Sequence, residues 1–302
     1  RRGIQPNLAL AYSSGSSNGI LGLGWSLDLG SIQRSSKRGV PKYNDTQDTF
    51  VLASGGSTQE LVSIGSGEYR PKIEGSFSKI AYDGTSWVIA DKSGTKFYFG
   101  LTNTSRQTNP KGIFSWHLAK VVDIYGNFMT VEYTLDQGQV YPAKINYTGN
   151  EVSSLTPAYE VEFILEDRTD TSLNCRSGAK VTTAKRISQI NVQYGSSPVR
   201  QYKIDYLPLT NTRLFSLIEK VTLLSADASQ SLPPVTFSYA ELNPKFSDIQ
   251  QWPIDWGNDS ASQSEPWKNR FRYVENSNTY LATVDINGDG LPDRVMAEEG
   301  NS

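Results

Sequence analysis

The sequence predicts an all-β protein of short strands and hairpins arranged in multi-stranded antiparallel sheets, and three observations carry that reading. Short runs rich in β-branched and aromatic side chains recur along the chain, as strands prefer. Turn dipeptides such as Asp83-Gly84 and Ser93-Gly94 separate these runs at the roughly 8–12-residue spacing of all-β domains. No stretch sustains apolar residues at i, i+3, i+4 and i+7 over several turns, the pattern of an amphipathic helix.

Taken in order, residues 8–12 read as the first strand. The segment Asn18-Gly19-Ile20-Leu21-Gly22-Leu23-Gly24-Trp25 follows, with glycines suited to tight turns and close backbone approach and with Trp25 placed to cap a core. It lacks phosphate-loop spacing, a following helix and a lysine, so it does not read as a nucleotide loop. Trp87–Ala90 and Lys96–Phe99 read as strands, and His117 lies between Trp116 and Leu118 in an apparent strand. Asp123-Ile124-Tyr125-Gly126-Asn127 reads as a hairpin turn whose Asp bonds to nearby backbone. Residues 128–133 and 160–165 are further strands, with turns at Gln137-Gly138 and Tyr194-Gly195. Residues 212–218 read as a helical turn or two. Pro233-Pro234 cannot donate ladder hydrogen bonds, which suits entry to an edge strand at residues 235–239. From Asn243 to about Asn276 the strand pattern lapses into Asp, Ser, Asn and Pro, interrupted by Trp252, Trp256 and Trp267. Those rings suit a linker anchored on a sheet; the alternative is an exposed aromatic surface that binds a sugar or a host protein.

The sharpest local signal is Asp285-Ile286-Asn287-Gly288-Asp289-Gly290-Leu291-Pro292-Asp293. Asp285, Asn287 and Asp289 at alternate positions, then Asp293, offer oxygens to one hard cation, with the Leu291 carbonyl as a fifth ligand and Gly290 giving the sharp turn. This reads as a structural Ca²⁺ loop between two strands. It is not an EF-hand, because the twelfth position is Met296 and the flanks are not helical. The alternative is an Asp/Asn/Gly-rich turn with no ion.

Composition excludes some function classes. The 29 basic and 31 acidic residues nearly cancel, and no Lys/Arg cluster forms a phosphate-binding face, which argues against a nucleic-acid partner. No apolar run is long enough to span a bilayer as a helix. Cys175 is the one cysteine, so an internal disulfide framework is excluded, and it falls in a polar loop sequence with no nearby histidine to activate it. The chain begins without Met and stops a few residues past the Asp-rich loop, which reads as a piece of a longer protein.

Catalytic groups are scarce. His117 is the single histidine and reads as structural, since no Gly-x-Ser-x-Gly elbow accompanies it. Glu160-Val161-Glu162 is a Glu-x-Glu, but on a strand the two glutamates share the exposed face while Val161 and Phe163 share the buried one. Glu166-Asp167-Arg168-Thr169-Asp170 reads as a solvated polar loop. The chain is therefore expected not to be an enzyme.

Several motifs resemble, in family order, the N-terminal domain shared by the SpvB virulence proteins and the TcdB/TcaC-type B components of insecticidal toxin complexes. Residues 3–14 are similar to the opening strand and residues 18–27 to the glycine-rich segment. Residues 116–127 resemble a strand and Asp-x-x-Gly-Asn turn that also occurs in Rhs/YD-repeat proteins, and residues 141–150 and 232–239 resemble the next segment and the closing strand. The resemblance implies three regions: a β-domain over 1–242, a Trp-containing linker over 243–276, and the start of an FG-GAP/VCBS-like β-propeller over 277–302. It further implies a non-enzymatic module of a secreted bacterial toxin or virulence protein, helping to build a β-shell and leading into a propeller that docks other toxin components or the Rhs-repeat remainder of the same chain. An ADP-ribosyltransferase is expected only elsewhere in a full-length parent.

Overall fold

Alternating apolar and polar side chains set most of the described chain into strands, and no helix occurs among the described residues. This computed structural model describes residues 3–211, 213–240, 273–275, 278–284 and 293–296. Two compact units divide the chain, Arg1–Asn243 and Pro244–Ser302.

In the first unit β1 (Leu10–Tyr12), β2 (Asn18–Gly19), β3 (Gly22–Leu23) and β4 (Trp25–Leu27) form two small ribbons, β1 with β4 and β2 with β3. A meander follows: β5 (Ser31–Arg34), β6 (Phe50–Ser54), β7 (Ser57–Gly65), β8 (Glu68–Pro71), β9 (Lys79–Tyr82), β10 (Trp87–Ala90) and β11 (Lys96–Phe99). Each of its strands is antiparallel to the one before. After β12 (Arg106–Asn109), the long β13 (Gly112–Val122) closes the meander into a ring. Ser115 to His117 pair with β5, and Leu118 to Val122 pair with β11. These partners sit on opposite edges of β13, since the His117 carbonyl accepts from Gly100 N while Leu118 N donates to the Gly30 carbonyl. The ring leaves no open edge among its own strands, the usual benefit of barrel closure.

Aromatic residues make the core of this barrel. Phe50, Tyr69, Trp87 and Trp116 pack edge to face with ring centroids 4.8–5.9 Å apart. Arg34 is buried on the same face of β5 as Ile32, with its charge matched by Asp48 at 2.9 Å and Asp45 at 2.6 Å.

From β13 the sheet continues through β14 (Asn127–Asp136), β15 (Gln139–Asn150), β16 (Tyr159–Asn174), β17 (Val181–Tyr194), β18 (Ser197–Tyr206), β19 (Ile218–Leu224) and β20 (Val235–Thr236). All neighbours are antiparallel. One face buries Val131, Ile145, Val161, Phe163, Ile190 and Ile204 against Leu21 and Trp25 of the N-terminal segment. That segment therefore lies as a strap over the apolar face of the long sheet. At the far edge β20 pairs with β19 and with no other strand among the described residues, the edge position that Pro233-Pro234 suits.

The Asp123 turn forms as its sequence predicts. Its carboxylate accepts from the backbone of Tyr125 and Asn127, each at 2.8 Å, and Gly126 takes φ 78°. The helical turn expected over residues 212–218 is absent among the described residues, and Ile218 opens β19 instead. The reason is local: Ser216 N donates to Asp170 at 2.6 Å and the Ser216 carbonyl accepts from Leu23 N at 2.8 Å, so the groups a helix needs are engaged elsewhere.

The second unit contains an antiparallel sheet of β21 (Tyr273–Glu275), β22 (Asn278–Val284) and β23 (Asp293–Met296). The strands on either side of the Asp-rich loop pair with each other, Val284 opposite Asp293.

Candidate functional site

The most highly organised polar cluster lies where the strap crosses the long sheet. It corrects the expectation of a solvated loop at residues 166–170, because those residues are on β16 and two of their side chains are buried. Arg168 and Asp170 have side chains only 0% and 2% exposed. They lie in the irregular stretch of β16 between Asp167 and Ser172, where β16 carries extra residues relative to β17 and the pairing register shifts.

Arg168 uses its whole fork. Nε donates to Asp170 Oδ1 at 2.9 Å, Nη1 to the Gly19 carbonyl at 2.6 Å, and Nη2 to Asp170 Oδ2 at 2.5 Å and to Asn18 Oδ1. Asp170 also accepts from Ser216 N at 2.6 Å and from Ser216 Oγ at 2.8 Å. Burial alone would raise its carboxyl pKa, but the hydrogen bonds from Arg168 and Ser216 outweigh that and hold it well below the usual carboxylate range. Ser172 Oγ donates to the Asn18 carbonyl at 3.0 Å, and Arg186 bridges Ser216 Oγ and Glu166, each at 2.6 Å. Gly22 fits beneath this network only as glycine: its φ is +87°, and a Cβ there would sit 2.3 Å from the Ser216 carbonyl oxygen. Farther along the strap, Trp25 Nε1 donates to Tyr239 Oη at 2.8 Å, and the indole meets Phe237 edge to face at 4.6 Å. The cluster is a clamp. Its donors and acceptors are spent on one another, so it pins the strap and offers no free acid, base or nucleophile.

The other candidates stay apart. Glu160 and Glu162 face the polar side of the long sheet, where Lys144 lies 2.9 Å and 3.9 Å from them and Asn191 donates to Glu162 at 3.3 Å. His117 retains some surface exposure, yet burial of the ring holds its pKa down at about 4. Its side-chain hydrogen-bond partner is Ser115 Oγ at 3.2 Å, and no carboxylate orients the ring. Cys175 is free and exposed in the turn after β16. Among the described residues no three His, Cys, Asp or Glu side chains converge as metal ligands. Asp285, Asn287, Asp289 and Leu291 lie outside the described residues, and Asp293 is placed only as the first residue of β23. Trp252, Trp256 and Trp267 also lie outside them.

Sequence reasoning missed the clamp. The available signal was Arg168-Thr169-Asp170, two opposite charges at i and i+2, which share a face if the residues form a strand.

Comparison with known proteins places the fold. The chain is 28% identical over 191 residues to the mono(ADP-ribosyl)transferase SpvB of Salmonella choleraesuis strain SC-B67, covering 54% of this chain and 32% of that protein. The Salmonella typhimurium protein of the same name is 27% identical over the same length. The chain thus spans about a third of the length of these curated relatives. Among solved structures, the N-terminal domain of effector protein SpvB from Salmonella typhimurium strain LT2 superposes with a TM-score of 0.65 at 20% identity, covering 74% of this chain and 95% of that domain. TcdB2-TccC3 superposes with a TM-score of 0.71 at 19% identity over 99% of this chain and 18% of that one. The Photorhabdus luminescens Tc holotoxin pore gives 0.69 at 18% identity, over 98% of this chain and 17% of that one. The all-β architecture is the one these structures share, and the match to SpvB is to its N-terminal domain. The profile of the Salmonella virulence plasmid 65kDa B protein family matches residues 1–265, and the chain belongs to that SpvB family.

Proposed function

We propose that this chain is a non-enzymatic structural module of a secreted bacterial toxin or virulence protein. It contributes a β-wall to a shell and leads into a propeller that docks partner toxin components. The observation that carries the reading is the continuous antiparallel sheet from β13 to β20. Its apolar face is covered by its own clamped strap, and its other face carries tied polar groups such as Lys144, Glu160 and Glu162. That construction makes a wall with a finished polar surface, and the described residues supply no catalytic constellation beside it. Likeness to a segment of TcdB2-TccC3 supports the same role, while the transferase named in the relatives is a property of whole proteins of which this chain matches about a third.

Co-expression with partner components of a toxin complex tests the assembly. The expected result is a stable co-purifying particle with a hollow interior in negative-stain images. A protein that remains monomeric beside every such component would overturn the proposal. Incubation with labelled NAD and a cell lysate is expected to give no label transfer, and transfer by this chain alone would restore the enzyme reading.

A further inference from the structure

A cavity of about 520 Å³ lies between strap residues 5–10 and the apolar face of the long sheet. That volume is within the range of small-molecule sites. Leu8, Val161, Ile190 and Ile204 give it aliphatic walls, and Tyr147 and Tyr202 add phenol groups. Arg200 is the one charged residue in the lining. It has no carboxylate within ion-pairing distance among the described residues, and its guanidinium carbon stands 5.8 Å from the centroid of the Tyr202 ring. Unlike the buried Arg34 and Arg168, which carboxylates match, Arg200 is exposed, so its charge is open to solvent beside the apolar lining. An apolar chamber with one accessible cation at its edge complements a molecule with one anionic end and an apolar body.

We propose that this cavity binds an amphipathic monocarboxylate of the long-chain fatty-acid class. The carboxylate accepts from the Arg200 guanidinium in the paired geometry that arginine favours, and the acyl chain lies against the aliphatic walls beneath the strap. The strap sets access, because Gln5, Pro6 and Ala9 belong to the lining while the clamp at Asn18 and Gly19 fixes the strap farther along the chain. The assignment is independent of the shell role.

Fluorescence titration of the whole chain with 11-(dansylamino)undecanoic acid, with competition by dodecanoate and by dodecanol, tests it. Saturable binding displaced by dodecanoate is expected. Dodecanol, with the same tail and no charge, should compete about two- to fivefold more weakly, the ratio for one lost contact with an exposed cation. Arg200→Gln, at an exposed position that leaves the core intact, should weaken dodecanoate by a similar factor without changing the affinity for dodecanol. Leu8→Trp, which enlarges a strap side chain packed on the same apolar face, should abolish both. The proposal fails if no saturable binding occurs, if Arg200→Gln leaves the preference for dodecanoate unchanged, or if Leu8→Trp binds as the wild type does.

Discussion

Replacing Arg168 by Met keeps an apolar stem of similar length and deletes the guanidinium. The Asp170 carboxylate, its side chain 2% exposed, would keep Ser216 N and Oγ but lose its countercharge, and the Gly19 carbonyl would lose its donor. Removing one partner of a buried ion pair typically destabilises by about 3–5 kcal/mol. For a domain of this size that corresponds to a melting temperature lower by roughly 6–20 °C. Thermal unfolding followed by circular dichroism measures it, with Asp170→Leu and the double variant completing a cycle. The double variant should lose clearly less than the sum of the singles, because it leaves no buried charge without a partner. The pH dependence adds a second signature. In the wild type the Asp170 pKa lies below its ordinary 3.8, so the stability it contributes is complete above that value and is lost as pH falls through the folded-state pKa. In Arg168→Met the folded-state pKa is higher, so the gap between variant and wild type narrows as pH falls through it. A loss under about 1 kcal/mol, the size expected of an exposed pair, or strict additivity in the cycle, would refute the clamp.

Gly22→Ala should destabilise by more than the roughly 1–2 kcal/mol of a left-handed backbone alone, because its Cβ meets a backbone oxygen at 2.3 Å; a neutral melting curve would contradict the strap's seating. With the His117 pKa held at about 4 against an ordinary 6.5, the unfolded chain takes up the proton first as pH falls. Wild-type stability should therefore decline between pH 6.5 and 4, by up to about 3 kcal/mol, and acid unfolding of His117→Gln should lack that slope. Calcium at the Asp285-to-Asp293 loop should raise the melting temperature of the second unit, by about 2.7 kcal/mol of stability at a hundredfold excess over Kd. Asp289→Asn should blunt that gain, and a calorimetric titration without heat of binding would count against the ion.

Features that depend on neighbouring residues were legible in the sequence. The Asp123 turn follows from one carboxylate reaching its own backbone, and the half-buried glutamates of β16 follow from simple alternation. The glycines around Leu21 signalled close approach without saying to what. Ser216, almost two hundred residues away, supplies the answer. Barrel closure depends on β13 changing partners along its length, and no local pattern in residues 112–122 encodes that. The clamp was hidden by the break in the β16–β17 register between Asp167 and Ser172, which simple alternation along β16 does not anticipate. Residues 212–218 have helical character locally, but tertiary demand on Ser216 overrides it.

The distance between the strap and its clamp sets an order of events during synthesis. All pairings of the barrel lie within residues 31–122, so the barrel can close while later strands are still being made. The strap cannot, since its anchors wait for β16 and then for Ser216. At translation rates of about 5–20 residues per second, Leu21 and Trp25 remain without their final cover for roughly 10–40 s after leaving the ribosome. Docking of the strap is therefore the last step in building this unit. Protease applied to ribosome-bound chains ending near residue 150 should cut the strap and spare the barrel, and equal protection of both would reverse the order.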